Sequence, residues 1–146
     1  PGLRPLLHRN IMFHFNIRVY WEDTDAGGIV FYANYLKFFE RARTEWLRAL
    51  GVQQHELRER SGGMFVVSAT EMKYHRPARL DDVLCVTADP VQIGKASCVI
   101  AQTARLGGLD GPLLAEGSIR IGWVDAASMQ PARMPAELHA IMVAGH

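Results

Sequence analysis

An α+β fold, in which a curled antiparallel sheet of about five strands wraps one long central helix, is predicted by three observations on the sequence. A single long helical pattern occurs early in the chain. Several strand-like segments separated by hairpin turns follow it. No second long helical pattern occurs between residues 83 and 123. Strands without intervening helices pair in antiparallel fashion, and one helix then covers one face of the sheet.

The residue patterns predict the elements in chain order. Residues Asn16–Trp21 alternate and are rich in strand-forming types, which predicts the first strand. From about Ala33 to Leu50, apolar side chains recur at spacings of three and four, which predicts the long helix. Gly51 is a suitable stop signal for that helix. A polar stretch, QQHELRERSGG, then precedes strands predicted at Met64–His75, Val83–Ile93, Ala96–Leu106 and Leu113–Asp125.

This element order is that of the hotdog fold. A ferredoxin-like alternative needs a second long helix between strands, and the sequence has no such pattern there. We expect a single hotdog domain at residues 13–135 and a short helix or tail at residues 136–146. Residues 1–12 are interpreted as an extension or an expression remnant, with Met12 a plausible native start.

The composition argues against several classes of function. The 146 residues suit one domain, and 49% of them are apolar, which is normal for a globular protein. Lys plus Arg number 16 and Asp plus Glu 15, so the charge balance gives no reason to expect nucleic acid or an anionic membrane as partner. No apolar run approaches the ~18 residues of a membrane span.

The cysteines and histidines show no pattern typical of a metal or redox site. Cys85 and Cys98 match no ligand spacing and are expected to be reduced core residues of a cytoplasmic protein. The six histidines show no ligand spacing either. We therefore expect neither a metal site nor a bound cofactor.

The segment EDTDAGGIVFYANY, residues 22–35, is the candidate functional motif. It places Asp25 just ahead of the long helix, whose first amide N–H groups lack internal partners and can stabilise a developing oxyanion. Gly27 and Gly28 are candidate substrate-binding residues, because a ligand can approach a glycine backbone closely. Asp, Thr and Gly are also ordinary turn and capping residues, so a structural loop is the alternative. A phosphate loop is disfavoured, since Walker and GxGxxG patterns are both absent.

The segment from Arg18 to Gly51, RVYWEDTDAGGIVFYANYLKFFERARTEWLRALG, resembles the YbgC-like, Tol–Pal-associated acyl-CoA thioesterases of the 4-hydroxybenzoyl-CoA thioesterase family. The shared pattern is D-x-D-x-x-G…N-Y…E, placed after one strand and running into the long helix. A second segment, KYHRPARLDDVLCV at residues 73–86, is similar to another recurring segment of that family. The resemblance implies a hotdog fold, cytoplasmic hydrolysis of acyl-CoA thioesters and active sites at a dimer interface.

The resemblance also implies roles for individual residues. Asp25 matches the catalytic carboxylate and Asp23 the first Asp of the motif. Tyr32 matches the position whose backbone N–H polarises the thioester carbonyl in the aromatic thioesterases. Glu40 aligns with an acid that contacts the acyl group there. The YbgC-like pattern usually has His where Tyr32 stands, whereas the hydroxybenzoyl-type enzymes carry Tyr.

The predicted reaction is hydrolysis of an acyl-CoA thioester to free acid and CoA without metal or cofactor. Asp25 either attacks the carbonyl to form an anhydride or activates water, and the sequence leaves both open. The alternative is a non-catalytic acyl-binding or scaffold protein linked to Tol–Pal proteins. A dehydratase of this fold is disfavoured, because no His lies between Asp25 and Glu40.

The predicted single sheet leaves an open edge strand, which is a liability unless it is paired or covered. We therefore expect a homodimer or homotetramer. Four basic residues are candidates to meet the CoA phosphates, although none can be assigned: Lys73, Arg76, Arg79 and Lys95.

Overall fold

The structure, a computed structural model, describes residues 12–145. The extension predicted at residues 1–12 therefore lies outside the described residues, apart from Met12. The strands in this part of the chain are β1 (Phe13–Arg18), β2 (Gly63–Tyr74), β3 (Val83–Ile93), β4 (Ser97–Leu106) and β5 (Leu113–Asp125). The α-helices are α1 (Asn34–Ala49), α2 (Gln54–Ser61) and α3 (Ala136–Ala144).

The five strands form one sheet in the order β1-β3-β4-β5-β2, and all neighbours are antiparallel. The predicted α+β class with about five antiparallel strands is confirmed. The last four strands were predicted to within two residues at each end. Their hairpin turns and alternating apolar residues therefore carried enough information to define them.

The first strand lies earlier in the chain than predicted. It ends at Arg18, and residues Trp21–Asp23 form a short 3-10 helix where the prediction had continued the strand. The carboxylate of Asp23 accepts a hydrogen bond from the Tyr20 N–H at 2.8 Å, which favours the turn over extended backbone. The alternation of residue types in this segment gave no indication of the hydrogen bond between Tyr20 and Asp23 that competes with strand formation.

Helix α2 was missed, because its sequence is polar on almost every side. Leu57 is its one buried residue, so no apolar stripe marks the helix. Gly62 ends it in the left-handed conformation with φ 74°, which is the usual role of glycine after a helix. Gly62 was therefore the one residue in the sequence that could have indicated the end of a helix here.

Helix α1 packs its apolar face against the inner side of the sheet, as predicted. Gly51 follows it with φ 89°, a conformation that glycine adopts without strain. Both cysteines are buried and unpaired, in agreement with the sequence analysis. The buried residues of α1 are Tyr35, Phe38, Phe39, Ala42, Trp46 and Leu47.

Strand β2 forms one edge of the sheet and is largely open to solvent. Its residues from Val67 to Glu71 are all exposed, and a bulge interrupts its pairing with β5 between Val67 and Ala69. The structure thus has the open edge that the sequence analysis anticipated. Among residues 12–145, none of the helices has the length and apolar character needed to cross a bilayer.

Candidate active site

The acidic loop forms a tight hairpin between Thr24 and Val30, which are bridged to each other. The Asp25 N–H donates to the Ile29 carbonyl at 2.9 Å, and the Gly28 N–H donates to the Asp25 carbonyl at 3.0 Å. Gly28 has φ 78°, so the turn closes through a residue in the left-handed region. This geometry explains why a glycine stands at position 28.

The Asp25 carboxylate is exposed and only partly used by the protein. Its Oδ1 accepts a hydrogen bond from the Gly27 N–H at 2.8 Å. A Cβ atom at position 27 would lie 3.2 Å from that oxygen, so glycine keeps the approach unobstructed. Oδ2 accepts no hydrogen bond from residues 12–145. The loop therefore orients the carboxylate and leaves one oxygen available for chemistry.

Asp23 anchors the same loop to the start of α1. It is buried, and its backbone carbonyl accepts hydrogen bonds from the Phe31 N–H at 2.9 Å and from Asn34 Nδ2 at 2.8 Å. These contacts, together with the carboxylate bond to Tyr20, are those of a residue that holds the loop. The two acids of the motif thus differ in environment, with Asp23 structural and Asp25 open.

Tyr32 lies in the turn just before α1, which begins at Asn34. Neither its N–H nor that of Ala33 has an acceptor among the described residues, whereas the Phe31 and Asn34 amides are both satisfied. The Tyr32 phenol is exposed and packs edge-on against Tyr74, with ring centroids 5.9 Å apart. An unused donor therefore lies seven positions after Asp25, at the end of the same loop.

A cavity of ≈ 320 Å³ opens beside Tyr32. Such a volume is at the lower end of the range for small-molecule sites. Backbone pairing of Ile29 with Arg79, and the hydrogen bond from the Val30 N–H to the Ala78 carbonyl at 2.8 Å, join the loop to the segment after β2. The cavity is lined by Ile29, Val30, Tyr32, Tyr35, Tyr74, His75, Arg76 and Pro77.

Glu40 lies elsewhere, beside a second cavity of ≈ 200 Å³ between α1 and the first part of β2. Its side chain is exposed. Glu40 is not among the residues that line the Tyr32 cavity of its own chain. The second cavity is lined by Glu40, Arg43, Thr44, Leu47, Gln54, Phe65, Val66, Val67 and Ile121.

Comparison with known proteins identifies the family. Residues 27–110 match the thioesterase superfamily. The acyl-CoA thioesterase YbgC of Haemophilus influenzae is 40% identical over 88% of this chain and 92% of its own length. The chain belongs to the thioesterase superfamily, in its YbgC branch. The acyl-CoA thioester hydrolase YbgC of Escherichia coli O157:H7 is 38% identical, over 87% of this chain and 92% of that protein.

Solved structures of thioesterases share the fold. A probable thioesterase from Bartonella henselae superposes with a TM-score of 0.78 at 32% identity, covering 86% of this chain and 100% of the other. The hotdog fold expected from the element order is thereby confirmed. Membership of the superfamily also confirms the predicted enzyme class, a thioester hydrolase.

Two polar residues of this thioesterase escaped the sequence analysis. Tyr35 is buried on α1, and burial raises the pKa of its phenol to about 12. Arg43 lies on the same helix, and burial lowers the pKa of its guanidinium, with Glu40 acting in the opposite direction. Both residues could have been noticed in the sequence, because each places a polar group on a helix face that is otherwise buried. Among residues 12–145, no cluster of three or more His, Cys, Asp and Glu could hold a metal ion.

Proposed function

We propose that this thioesterase hydrolyses acyl-CoA thioesters to free acid and CoA, with Asp25 as nucleophile or general base. The observation that carries the proposal is the Asp25 carboxylate, which is oriented through Gly27 and has a second oxygen that accepts no hydrogen bond from residues 12–145. The names of the YbgC relatives support acyl-CoA as the substrate class. We place the reaction in the cytoplasm, as the sequence analysis does.

The reaction needs a donor for the developing oxyanion as well as a carboxylate. We assign that role to the Tyr32 N–H, because it lacks an acceptor among the described residues and lies at the mouth of the cavity. Asp25 then attacks the thioester carbon or removes a proton from the attacking water. In the first route the C–S bond breaks to leave an anhydride on Asp25, and water then hydrolyses the anhydride to free acid and the Asp25 carboxylate. In the second route water adds to the acyl carbon directly and the C–S bond breaks. In both, the CoA thiolate takes up a proton that water supplies.

A homodimer, or a homotetramer built from it, gives this site its full set of residues. The Tyr32 cavity lies at the C-terminal end of β2, next to Tyr74, whereas the Glu40 cavity lies near its start, next to Val66. Two copies that pair their β2 edges antiparallel about a two-fold axis bring opposite ends of β2 together. The Tyr32 cavity of one copy then adjoins the Glu40 cavity of the other. Glu40 contacts the acyl group in this arrangement.

The function is tested by incubating the purified protein with benzoyl-type, short and long acyl-CoAs and following the release of free thiol. We expect release from at least one substrate, and Asp25→Asn should lower kcat by at least ~10²-fold. Asp110→Asn, in an exposed turn, is the matched control and should behave like the parent protein. Absence of CoA release from every substrate would favour the alternative, an acyl-binding or scaffold protein linked to Tol–Pal proteins.

The oligomer is tested separately by sedimentation at micromolar concentration. A dimer or tetramer is expected, and a stable, active monomer would contradict the proposed assembly.

A further inference from the structure

Arg43 has an unusual position for a cation on the helix that contacts the sheet. Its guanidinium is partly buried, and its one protein hydrogen bond within residues 12–145 runs to Gln102 Oε1 at 3.0 Å. None of the ion pairs in that part of the chain includes Arg43. A guanidinium has five N–H donors, so most of its hydrogen-bonding capacity is unused.

The single bond that Arg43 makes is a rigid one. Gln102 is fully buried, and its Nε2 donates to the carbonyls of Phe39 and Thr87, each at 3.0 Å. Turning the amide over would place its oxygen against both carbonyls, so Oε1 is forced to face Arg43. The fixed Gln102 side-chain amide thus holds the Arg43 guanidinium in one orientation.

Arg43 is one of the residues that line the second cavity. Apolar residues of β2, such as Phe65 and Val66, line the same cavity. Glu40, three residues before Arg43, lies at the same cavity but outside ion-pair distance. A pocket that combines apolar side chains with a fixed cluster of donors recognises a partly apolar ligand that carries an acceptor oxygen.

We propose that Arg43 is a specificity-determining residue, whose guanidinium binds an acceptor oxygen on the acyl group that reacts at Asp25 of a second copy. The inference rests on the proposed acyl-CoA hydrolysis and on the antiparallel pairing of β2 edges. That pairing joins the Arg43 cavity to the partner's catalytic cavity, and Arg43 does not line the Tyr32 cavity of its own chain. The acceptor is either an uncharged hydroxyl or a carboxylate, and the two are separated by experiment.

The first test compares kcat/KM for 3-hydroxybutyryl-CoA and succinyl-CoA with that for butyryl-CoA, which lacks the oxygen. The aromatic pair, 4-hydroxybenzoyl-CoA and benzoyl-CoA, is compared in the same way. The parent should prefer at least one oxygen-bearing acyl group by about 10- to 100-fold, the usual worth of a hydrogen bond to a charged group. Arg43→Gln should abolish that preference while hydrolysis of the plain acyl group persists.

Matched variants separate recognition from folding. Arg41→Gln removes an exposed guanidinium of the same helix, and it should keep the parent's preference. Arg43→Lys keeps the charge but not the planar fork that spans Gln102 and the ligand, so it should also lose preference. Thermal unfolding and sedimentation of each variant check that fold and assembly are intact. Arg43→Lys decides the question if Arg43→Gln fails to fold.

Mixed dimers of Asp25→Asn and Arg43→Gln chains test whether Arg43 acts across the interface. In such a dimer, the Arg43→Gln chain supplies an intact Asp25 and the Asp25→Asn chain supplies an intact Arg43. If the two residues act together across the interface, one of the two active sites is complete, and the parent's substrate preference should return. If Arg43 acted within its own chain, the mixed dimer would show no preference. A parent enzyme that treats plain and oxygen-bearing acyl groups alike, or an Arg43→Gln variant that keeps the preference, would overturn the inference alone. Loss of all thioester hydrolysis in the parent would overturn the proposed function with it.

Discussion

The ring of Phe39 lies so close to Gly117 that no side chain fits between helix α1 and strand β5 at this point. A Cβ atom at position 117 would lie 2.9 Å from Phe39 Cε2 and 2.6 Å from Met72 Sδ. The Glu71 carbonyl at 3.0 Å closes the third side. Close approach of the helix to the sheet therefore requires glycine here.

Gly117→Ala should lower the free energy of unfolding by about 1–3 kcal/mol, because overpacking forces the helix or Met72 to move. Gly122→Ala is the control on the same strand, since nothing lies within 4 Å of the added methyl group. Urea unfolding of both variants measures the difference. Equal stability of the two alanine variants would contradict the tight contact at Phe39.

Gln102→Leu should destabilise the protein by about 1–3 kcal/mol, because it leaves two carbonyls and the Arg43 guanidinium without their buried partner. Leucine has a similar volume, so the loss is mainly one of hydrogen bonds. Gln92→Leu, at an exposed position of β3, should change stability by less than about 0.5 kcal/mol. A stable Gln102→Leu variant would show that the amide does not link the helix to the sheet.

Tyr32→Phe and Tyr32→Pro separate the phenol of this residue from its amide. Asn34 donates to the Phe31 carbonyl at 2.8 Å, so Tyr32 occupies the second position of a turn, where proline is favoured. Tyr32→Phe keeps the N–H and should retain activity within roughly tenfold. Tyr32→Pro should remain folded and lose ~10²–10³ in kcat.

Circular dichroism and sedimentation must first show that the proline variant is folded and assembled. Full turnover by such a variant, or loss of turnover in Tyr32→Phe, would exclude the Tyr32 amide as the oxyanion donor.

Tyr35→Phe should raise stability by about 1–3 kcal/mol, since the buried hydroxyl makes no hydrogen bond to the described residues. The Ala78 backbone offsets part of the rise in the pKa of Tyr35. It does not form a hydrogen bond with the Tyr35 hydroxyl. The aromatic contacts to Phe38 and Tyr74 survive the change. Tyr20→Phe at an exposed position is the control. Loss of stability in Tyr35→Phe would reveal a partner for the hydroxyl.

Alkaline pH should destabilise the protein through Cys98. Burial raises the pKa of this thiol to about 12, whereas an unfolded thiol ionises near ~8.5. Between these values the unfolded state binds fewer protons, so the free energy of unfolding falls as pH rises, by up to about 1.4 kcal/mol per pH unit. Below ~8.5 the thiol is neutral in both states and its contribution is constant.

Cys98→Ala removes this titration, so its stability should depend less steeply on pH between 9 and 11 than the parent's (~1 kcal/mol per unit less). Denaturant titrations at several pH values measure the slope. Identical slopes would contradict the assignment to Cys98.

The sequence predicted those features that depend on local periodicity. The apolar residues at helical spacing located α1, and the hairpin turns located the later strands. Helix α2 failed that test because only Leu57 is buried, and periodicity cannot detect a helix without a stripe. The position of Asp25 ahead of α1 was predicted, as was the open edge of the sheet.

The remaining parts of the site depend on contacts between distant residues. Arg43 and Gln102 are 59 residues apart, and neither belongs to the motif that marks the loop. Gln102 could be noticed only as a lone amide within an apolar strand. The exposure of Glu40 was not predictable from its neighbour Phe39, because adjacent positions on a helix face different directions.

The order of strands in the sheet also constrains the order in which the chain can fold. Only β3, β4 and β5 are successive in sequence and adjacent in the sheet, whereas Phe13 pairs with Ala88 and Gly63 with Asp125. During synthesis, α1 leaves the ribosome before any strand that covers its apolar face, apart from β1, has been made. Phe38 and Phe39 of α1 therefore stay exposed to solvent until β3, β4 and β5 have been synthesised and paired. Such a chain has a high proportion of non-local contacts, which slows folding and prolongs exposure to aggregation.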